Sequence, residues 1–529
     1  MLEKNHFIKD WRNIEISIGL VYPNIYEIGM SSYSIRLLYY LFNQYENVAC
    51  ERFFLPKRIK YPASDDFQSQ EELRSIENKR KPKDFDILGF SIQFENDFKN
   101  ILWILEKAGI PFLSSERKRL TEEREIRFPL IIAGGSVVTS NPKPISKLFD
   151  LFVIGDLEPI LEEFLQIFLQ IKSQNLEYDQ FYQRMRTVKG IYIPKINNDP
   201  RRSILENLND SANPPIQLTQ SGSKEEEIFE NTFFIEINRG CPYKCKFCIT
   251  SFHNYPSRFK SYETIRDEIM NGMKYSDFDS ISLIGPCASA HPEFKEICEF
   301  IIENNKRLII PSIRIDHLSR ELIKVLGRGN IKTITMAPET GSEDLRFQIG
   351  KKFSNHKILE ILQEIKDSKI SNVKLYFLIG LPNETDTHIK EMIEMLKKVD
   401  KLGFQKNAIR ISINPLIPKL NTPYEKKVEA YLKEAGNKIS DKYNEIKQNI
   451  TQLYSIKLKT KNIKKVMNNA RLQALFSLGD ETVNHLLIEY YKKGANFGAL
   501  RRAQTNLNFS IHEYFEKIKE CYSPWRLKE

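Results

Sequence analysis

With 529 residues, 41% of them hydrophobic, the chain is long enough for about three domains with sizeable cores. The first residues, Met1 to His6, lack the apolar stretch of a secretory signal. The longest apolar runs, such as Pro129 to Val138, fall far short of the ~18 to 20 residues that span a bilayer, so the chain reads as soluble and cytoplasmic, with no membrane partner. The formal net charge is +10, and the seven cysteines are too few for a disulfide framework; Cys50, Cys287, Cys298 and Cys521 are scattered, while the other three form a tight group that points to metal.

In chain order, Ile14 to Val21 reads as a strand, Tyr22-Pro23-Asn24 as a turn and Ser32 to Gln44 as a helix. Strands are expected at Asp86 to Ile92, at Pro129 to Ala133 before Gly134-Gly135, and at Leu151 to Ile154 before Gly155-Asp156, with a helix at Phe98 to Ala108. Such alternation predicts a parallel, doubly wound sheet whose ligand lies beyond the C-terminal strand ends, where glycines let a large ligand approach the backbone. The stretch from Asn197 to Glu230, with Pro200, Pro214, Pro215 and a glutamate triplet, reads as a linker. Alternation then resumes. Strands are expected at 233–238, 280–284, 308–313, 332–336, 373–379 and 408–413, and helices at 261–274, 292–304, 318–326, 354–367 and 386–402. Six strands and five helices predict a partial (β/α)6 barrel. From Pro423 the strand signal fades into a mostly helical region that ends with Thr482 to Lys493 and Ile511 to Cys521. Residues 431–529 carry 18 Lys and Arg against 10 Asp and Glu, a surplus of 8, densest at Lys457, Lys459, Lys461, Lys464 and Lys465. Such a run is either a solvated face or a surface for nucleic acid or an acidic protein.

Cys241-Pro-Tyr-Lys-Cys245-Lys-Phe-Cys248 is C-x3-C-x2-C and follows a strand directly through Asn238-Arg239-Gly240. Thiolates ligate iron–sulfur clusters, and three of them leave one iron of a 4Fe-4S cube open to a substrate group. Zinc is the alternative; it favours four ligands and paired C-x2-C spacings, and its fourth ligand here would be His253. Cys287 is a further candidate ligand.

The cysteine spacing, with Phe247 before the third cysteine, resembles the signature of the radical S-adenosylmethionine (SAM) superfamily. Met336-Ala-Pro-Glu-Thr-Gly-Ser342, Tyr376-Phe-Leu-Ile-Gly-Leu-Pro-Asn-Glu-Thr385 and Asn414-Pro-Leu-Ile-Pro-Lys-Leu-Asn-Thr-Pro423 resemble its fourth-, fifth- and sixth-strand segments. The resemblance implies a 4Fe-4S cluster on Cys241, Cys245 and Cys248. It also implies a SAM site at Phe247, Gly285, Pro286, Arg314, Glu339 and Gly380, with Arg314 and Glu339 as its polar residues. The sequence departs from many relatives after the second strand, where Ile284-Gly285-Pro286-Cys287 replaces a Gly-Gly-Glu and leaves the SAM amino group to backbone carbonyls.

The N-terminal stretches Val21 to Met30, Cys50 to Pro56, Ile131 to Pro142 and Gly155 to Pro159, with Arg471 to Asp480 later, resemble the cobalamin-domain subfamily, the class B methylases. This implies a Rossmann-like cobalamin domain over 1–195, a linker over 196–230, the barrel over 231–422 and a basic helical domain over 423–529. Tyr22, Gly134, Gly135, Ser136 and Gly155 would line the corrin site, with Thr139 and Asn141 as further donors or helix caps. A side chain at Gly134 or Gly135 is expected to push the corrin away. The D-x-H-x-x-G motif is absent, since Asp386-Thr-His388 lies on a barrel helix without the glycine, so no histidine is expected under the cobalt. The implied activity is C-methylation of an unactivated carbon through a 5′-deoxyadenosyl radical and methylcobalamin, with a reductant such as ferredoxin or flavodoxin as partner. A cyclase, an RNA-modifying enzyme and an RNA- or protein-binding protein with a structural cluster stay open, and nothing in the sequence selects a peptide, small-molecule or RNA substrate.

Overall fold

The computed structural model describes residues 2–62, 72–174, 178–221, 231–432, 435–520 and 523–528. Strands β1 (Ile16–Ile25), β2 (Val48–Leu55), β3 (Ile87–Ser91), β4 (Leu130–Gly134), β5 (Leu151–Val153) and β6 (Ile191–Tyr192) form one sheet in the order β2-β1-β3-β4-β5-β6. Every pairing is parallel except β5 with β6. Alternate residues go to opposite faces: Ile87, Leu130 and Ile132 enter one core, while Leu88, Phe90, Ile131 and Ala133 enter the other. Both faces are covered, one of them by helices that include α1 (Tyr33–Asn43) and the other by helices that include α2 (Phe98–Lys107), which is why the strands are apolar nearly throughout. The winding reverses between β1 and β3, and a crevice opens beyond their C-terminal ends at such a switch point.

The second half carries β7 (Thr232–Glu236), β8 (Ser280–Ile284) and β9 (Arg307–Ile309) in the order β9-β8-β7. A second sheet holds β10 (Thr333–Glu339), β11 (Asn372–Ile379), β12 (Ile409–Pro415) and β13 (Ile456–Leu458) in that order, and all strands in both sheets are parallel. Helices α3 (Tyr262–Tyr275), α4 (Phe294–Glu303), α5 (Arg320–Arg328), α6 (Asn355–Lys366) and α7 (Asp386–Asp400) alternate with them. Three of these start at a serine, Ser261, Ser319 or Ser354, whose hydroxyl accepts a backbone N–H of the first turn. The strand expected at 308–313 stops at Ile309, because Pro311 has no donor for the ladder. Ile313 N–H then rejoins β10 through the Thr335 carbonyl at 2.9 Å. The expected loss of strands after Pro423 is corrected by β13, which extends the barrel sheet from inside the helical region, between α8 (Ala435–Ile450) and α9 (Ile463–Leu478).

The expected linker is a packed strap where it is described. Ser203 pairs with Gly155, Arg202 donates to the carbonyls of His253 and Tyr255, and the Gln217 amide bridges the N–H and carbonyl of Phe234 at 2.9 and 2.7 Å. Residues 222–230 lie outside the described residues, as does Cys521. The late residues return to the first sheet: Trp525 packs on Tyr192 with ring centroids 4.8 Å apart, and Lys528 pairs with Asp199. Among the described residues, no helix is long and apolar enough to cross a membrane.

Candidate active site

The cysteine loop is built by close backbone approaches. Gly240 adopts φ +81°, and a Cβ there would overlap the Asn254 carbonyl. Gly350, at φ +91°, lets the Lys244 carbonyl and Cys245 Cα come within 2.9 and 3.3 Å of where its Cβ would stand. The Lys246 N–H donates to the Ile349 carbonyl at 3.0 Å, and the Cys248 N–H closes back on Cys245 at 3.0 Å. Phe247 packs with Leu378 of β11 against Leu345, Ile349 and Leu381.

Positive charge surrounds the thiols. The Arg314 guanidinium lies 3.6 Å over the Tyr243 ring, pairs with Asp316 at 2.7 Å and reaches Cys245 Sγ at 4.0 Å. Burial pushes the Cys245 thiol up, and Lys351 and Arg314 oppose it. A hydrogen bond with Cys287 is the main force holding the Cys241 thiol down, to about 6, with Tyr243 N–H and Arg314 adding to it against burial; the same contact pushes Cys287 up. Cys287 is thus neighbour to the loop rather than scattered. His253, the alternative zinc ligand, is turned to the Leu420 carbonyl, with Nε2 2.8 Å away, and burial pushes it down to about 4. Among the described residues, no three His, Cys, Asp or Glu side chains converge on a single-ion site.

Arg314, in the segment after β9, and Glu339, at the end of β10, do not pair with each other. Glu339 is buried at the end of β10, beyond a register shift, with φ +67°, a left-handed backbone uncommon for glutamate. Its carboxylate accepts from Lys351 Nζ at 2.6 Å, and Lys351 also donates to the Ala337 carbonyl at 2.7 Å. Gly380 ends β11 at φ +77° and faces Ile439 and Ala430, so its missing side chain serves the turn and the packing of α8.

A cavity of about 740 Å3 lies beyond the ends of β1, β3, β4 and β5. Tyr22, Gly134, Gly135, Ser136 and Gly155 all line it, with apolar wall from Leu20, Ile132, Val153 and Phe164. Gly285 and Pro286 line it too, so the two residues expected at the SAM site stand where the cavity meets the barrel. Thr139 lines it, and its hydroxyl accepts the Gly155 N–H at 3.1 Å, whereas Ser136 donates to Gln93 at 2.9 Å. Asn141 is not in the wall: its amide donates to the Ser477 and Gly479 carbonyls at 3.1 and 2.8 Å and anchors the helical region. The reason for Gly135 is also corrected. At φ +111°, a Cβ there would strike the Ile92 carbonyl, so strand packing alone demands glycine. Gly155 meets the Ser203 carbonyl in the same way. Gly134 is different, because its Cβ would find Val153 at an ordinary 3.6 Å.

Sequence reasoning missed the ionic seam at the cavity's edge. Arg239, after β7, meets Asp156 at 3.1 Å, Glu158 at 2.9 Å and Glu236 at 2.8 Å, and Arg258 meets Asp156 at 2.7 Å. The seam joins the first sheet to the barrel beside the cysteine loop. Its partners are up to 102 residues apart, so no local pattern announces them. Lys351 was missed too, although its partners Glu339 and Ala337 are only 12 and 14 residues away.

Residues 235–396 match the family model of the radical SAM superfamily, and residues 34–194 match that of the N-terminal region of radical SAM proteins. An uncharacterized protein of Methanocaldococcus jannaschii is 28% identical over 471 residues, 89% of this chain and 90% of its own. The tRNA-2-methylthio-N(6)-dimethylallyladenosine synthase of Bacillus cytotoxicus is 24% identical over 215 residues, 36% of this chain and 42% of that enzyme. Among solved structures, the radical SAM methyltransferase TsrM of Kitasatospora setae, with tryptophan and a SAM analogue bound, superposes with a TM-score of 0.53 at 13% identity, covering 93% of this chain and 99% of that one. OxsB with aqua-cobalamin bound gives 0.50 at 14% identity, covering 94% of this chain and 76% of that one. At these identities the likeness is one of fold.

Proposed function

Because the chain belongs to the radical SAM superfamily, we propose that it is a cobalamin-dependent member that methylates an unactivated carbon. As a radical SAM enzyme it uses a 4Fe-4S cluster and SAM and needs a reductant; ferredoxin or flavodoxin suits that role. Cys241, Cys245 and Cys248 would hold the cluster. Three thiols on a loop pinned by Gly240 and Gly350, facing Arg314 and Lys351, suit a ligand set that must be deprotonated. Cobalamin would lie in the cavity beyond the first sheet. The observation that carries this reading is the cavity's position and shape: about 740 Å3, at a switch point, walled by glycines and apolar side chains, and shared with Gly285 and Pro286 of the barrel.

When bound, these groups supply a 5′-deoxyadenosyl radical for hydrogen abstraction and a methyl group for transfer. The chain's own residues orient and shield. Arg314 and Lys351 offset negative charge at the thiolates. Lys351 also fixes the Glu339 carboxylate at the mouth of the barrel, where enzymes of barrel form place their chemistry. Leu20, Ile132, Val153 and Phe164 give the cavity an apolar wall, and the Arg239 seam ties the first sheet to the barrel. The test is anaerobic loading with iron, sulfide and hydroxocobalamin, followed by SAM and reductant. The expected result is cobalamin uptake with a spectrum lacking histidine coordination, formation of 5′-deoxyadenosine, and a mass gain of one methyl on the substrate. Cluster-loaded protein that takes up no cobalamin overturns the methylase reading.

A further inference from the structure

We propose that the floor of the barrel binds phosphate groups, so that the substrate is a phosphate-bearing molecule, a free nucleotide or an RNA. The inference rests on the radical SAM reading of the barrel as the substrate chamber. Along β11 the burial alternates: Val373, Leu375, Phe377 and Ile379 pack under the outer helices, and Lys374 and Tyr376 face the other way. The same inner face of β12 presents Arg410, and that of β13 presents Lys457. Register places Lys374 beside Arg410 and Arg410 beside Lys457.

Neighbouring strands lie about 4.8 Å apart, so three cations stand side by side in one row. Like charges at such positions oppose folding unless something neutralises them. Among the described residues, Lys374, Arg410, Lys457 and Lys459 have no acidic partner. They line a cavity of about 460 Å3 together with Tyr376 and Ser412, and no carboxylate shares its wall. The sequence run that begins at Lys457 thus splits in two: its first residues turn into the barrel, and Lys464 and Lys465 stay exposed on α9.

The chemistry selects the anion. A single carboxylate would balance one of four cations, whereas successive phosphates balance several, and the Arg410 fork with flanking lysines suits phosphate oxygens. Tyr376, 39% exposed, adds an aromatic face and a hydroxyl for an attached base or sugar. The distance also fits a working site. From Lys374 to Leu378 is four residues, roughly 13 Å of strand, and Leu378 shares a packing cluster with Phe247 of the cysteine loop. Phosphate held at the floor would leave that length for the reacting part to reach the loop. The larger cavity is the opposite kind of site, with Asp156, Glu158 and Glu236 against Arg239 in its wall.

The test titrates the full, cluster-loaded chain with inorganic tripolyphosphate and, separately, with a short mixed-sequence single-stranded RNA at rising KCl. Both should bind, and Lys374→Gln with Arg410→Gln should weaken binding at least about tenfold at low salt. Lys464→Gln with Lys465→Gln, an equal loss of charge outside the cavity, should leave it unchanged. RNA binding far tighter than tripolyphosphate, with a steep salt dependence, assigns RNA; equal affinities assign a free nucleotide. No binding of either anion, or equal weakening by both pairs of substitutions, overturns the proposal. Iron content and 5′-deoxyadenosine formation on the same preparations keep the two readings apart. If those fail, the radical reading falls; if they hold without anion binding, only the phosphate floor does.

Discussion

The cysteine loop and the cavity beyond the first sheet are neighbours built on opposite plans. The loop puts its three thiols within eight consecutive residues and is then braced from afar by Gly350, Arg314 and Lys351. The cavity owns no motif: its wall comes from the ends of four strands, from α1 and from the barrel. A site concentrated in one loop is lost with a few side chains. A site spread over a sheet edge yields to a change of shape, and some of its glycines serve the sheet rather than the ligand.

The largest effect should come from the loop. Replacing Cys241, Cys245 and Cys248 together by alanine should abolish the broad absorbance of the reconstituted cluster, while Cys50→Ala keeps full iron; iron retained in the triple variant would end the assignment. Next come two adjacent glycines. Gly135→Val should destabilise the fold by about 3 kcal/mol or more, because left-handed backbone and the Ile92 carbonyl both exclude it. Gly134→Leu should keep the cluster and the melting temperature within a few degrees but lower cobalamin affinity at least about tenfold by filling space, roughly 1.4 kcal/mol. Equal cobalamin affinity in Gly134→Leu and wild type would remove β4 from the site.

A smaller effect tests the seam between the two regions. Arg239→Met strands Asp156, Glu158 and Glu236 and should cost about 3 kcal/mol in chemical denaturation, with part of it recovered by Arg258. The smallest effect is its pH signature. Burial pushes Asp156 up, but Arg239 and Arg258 together pull its carboxyl below the ordinary value. That contribution is present above about pH 4 and is lost as pH falls through the depressed folded value, so removing Arg239 should move the acid loss of stability to higher pH. An unshifted acid limb in the variant would mean that Arg258 alone holds Asp156.

Much of this was legible because its signals are local. Strand and helix alternation follows from apolar runs and caps, and the C-x3-C-x2-C loop is eight residues long. The glycines at 134, 135 and 155 do line one cavity, although two of them are demanded by packing. What escaped shares one property, distance along the chain. Arg239 with Glu158, Lys419 with Glu95 and Asn141 with Ser477 are 81, 324 and 336 residues apart, and charge or hydrogen-bond complementarity at such range has no period to read. β13 escaped because three residues, Ile456–Leu458, amid lysines carry too little strand signal; only the ladder with β12 makes them a strand. The basic run had two open readings; register sends Lys457 to the inner face of the barrel sheet and leaves Lys464 and Lys465 exposed on α9.

The packing of Trp525 on Tyr192 and the pairing of Lys528 with Asp199 set a timetable. β6 is the edge strand of the first sheet; its Tyr192 ring is covered by Trp525, 333 residues downstream, and Asp199 beyond it pairs with Lys528, 329 residues downstream. At ~5 to 20 residues per second on the ribosome, the Tyr192 ring waits roughly 17 to 67 seconds for its cover. What is exposed meanwhile is an aromatic face and not an open strand edge, because the Asn198 amide already donates to the Ile191 carbonyl and accepts the Ile193 N–H. The N-terminal sheet is therefore made first and completed last, and chaperone demand during synthesis should fall on the exposed Tyr192 face.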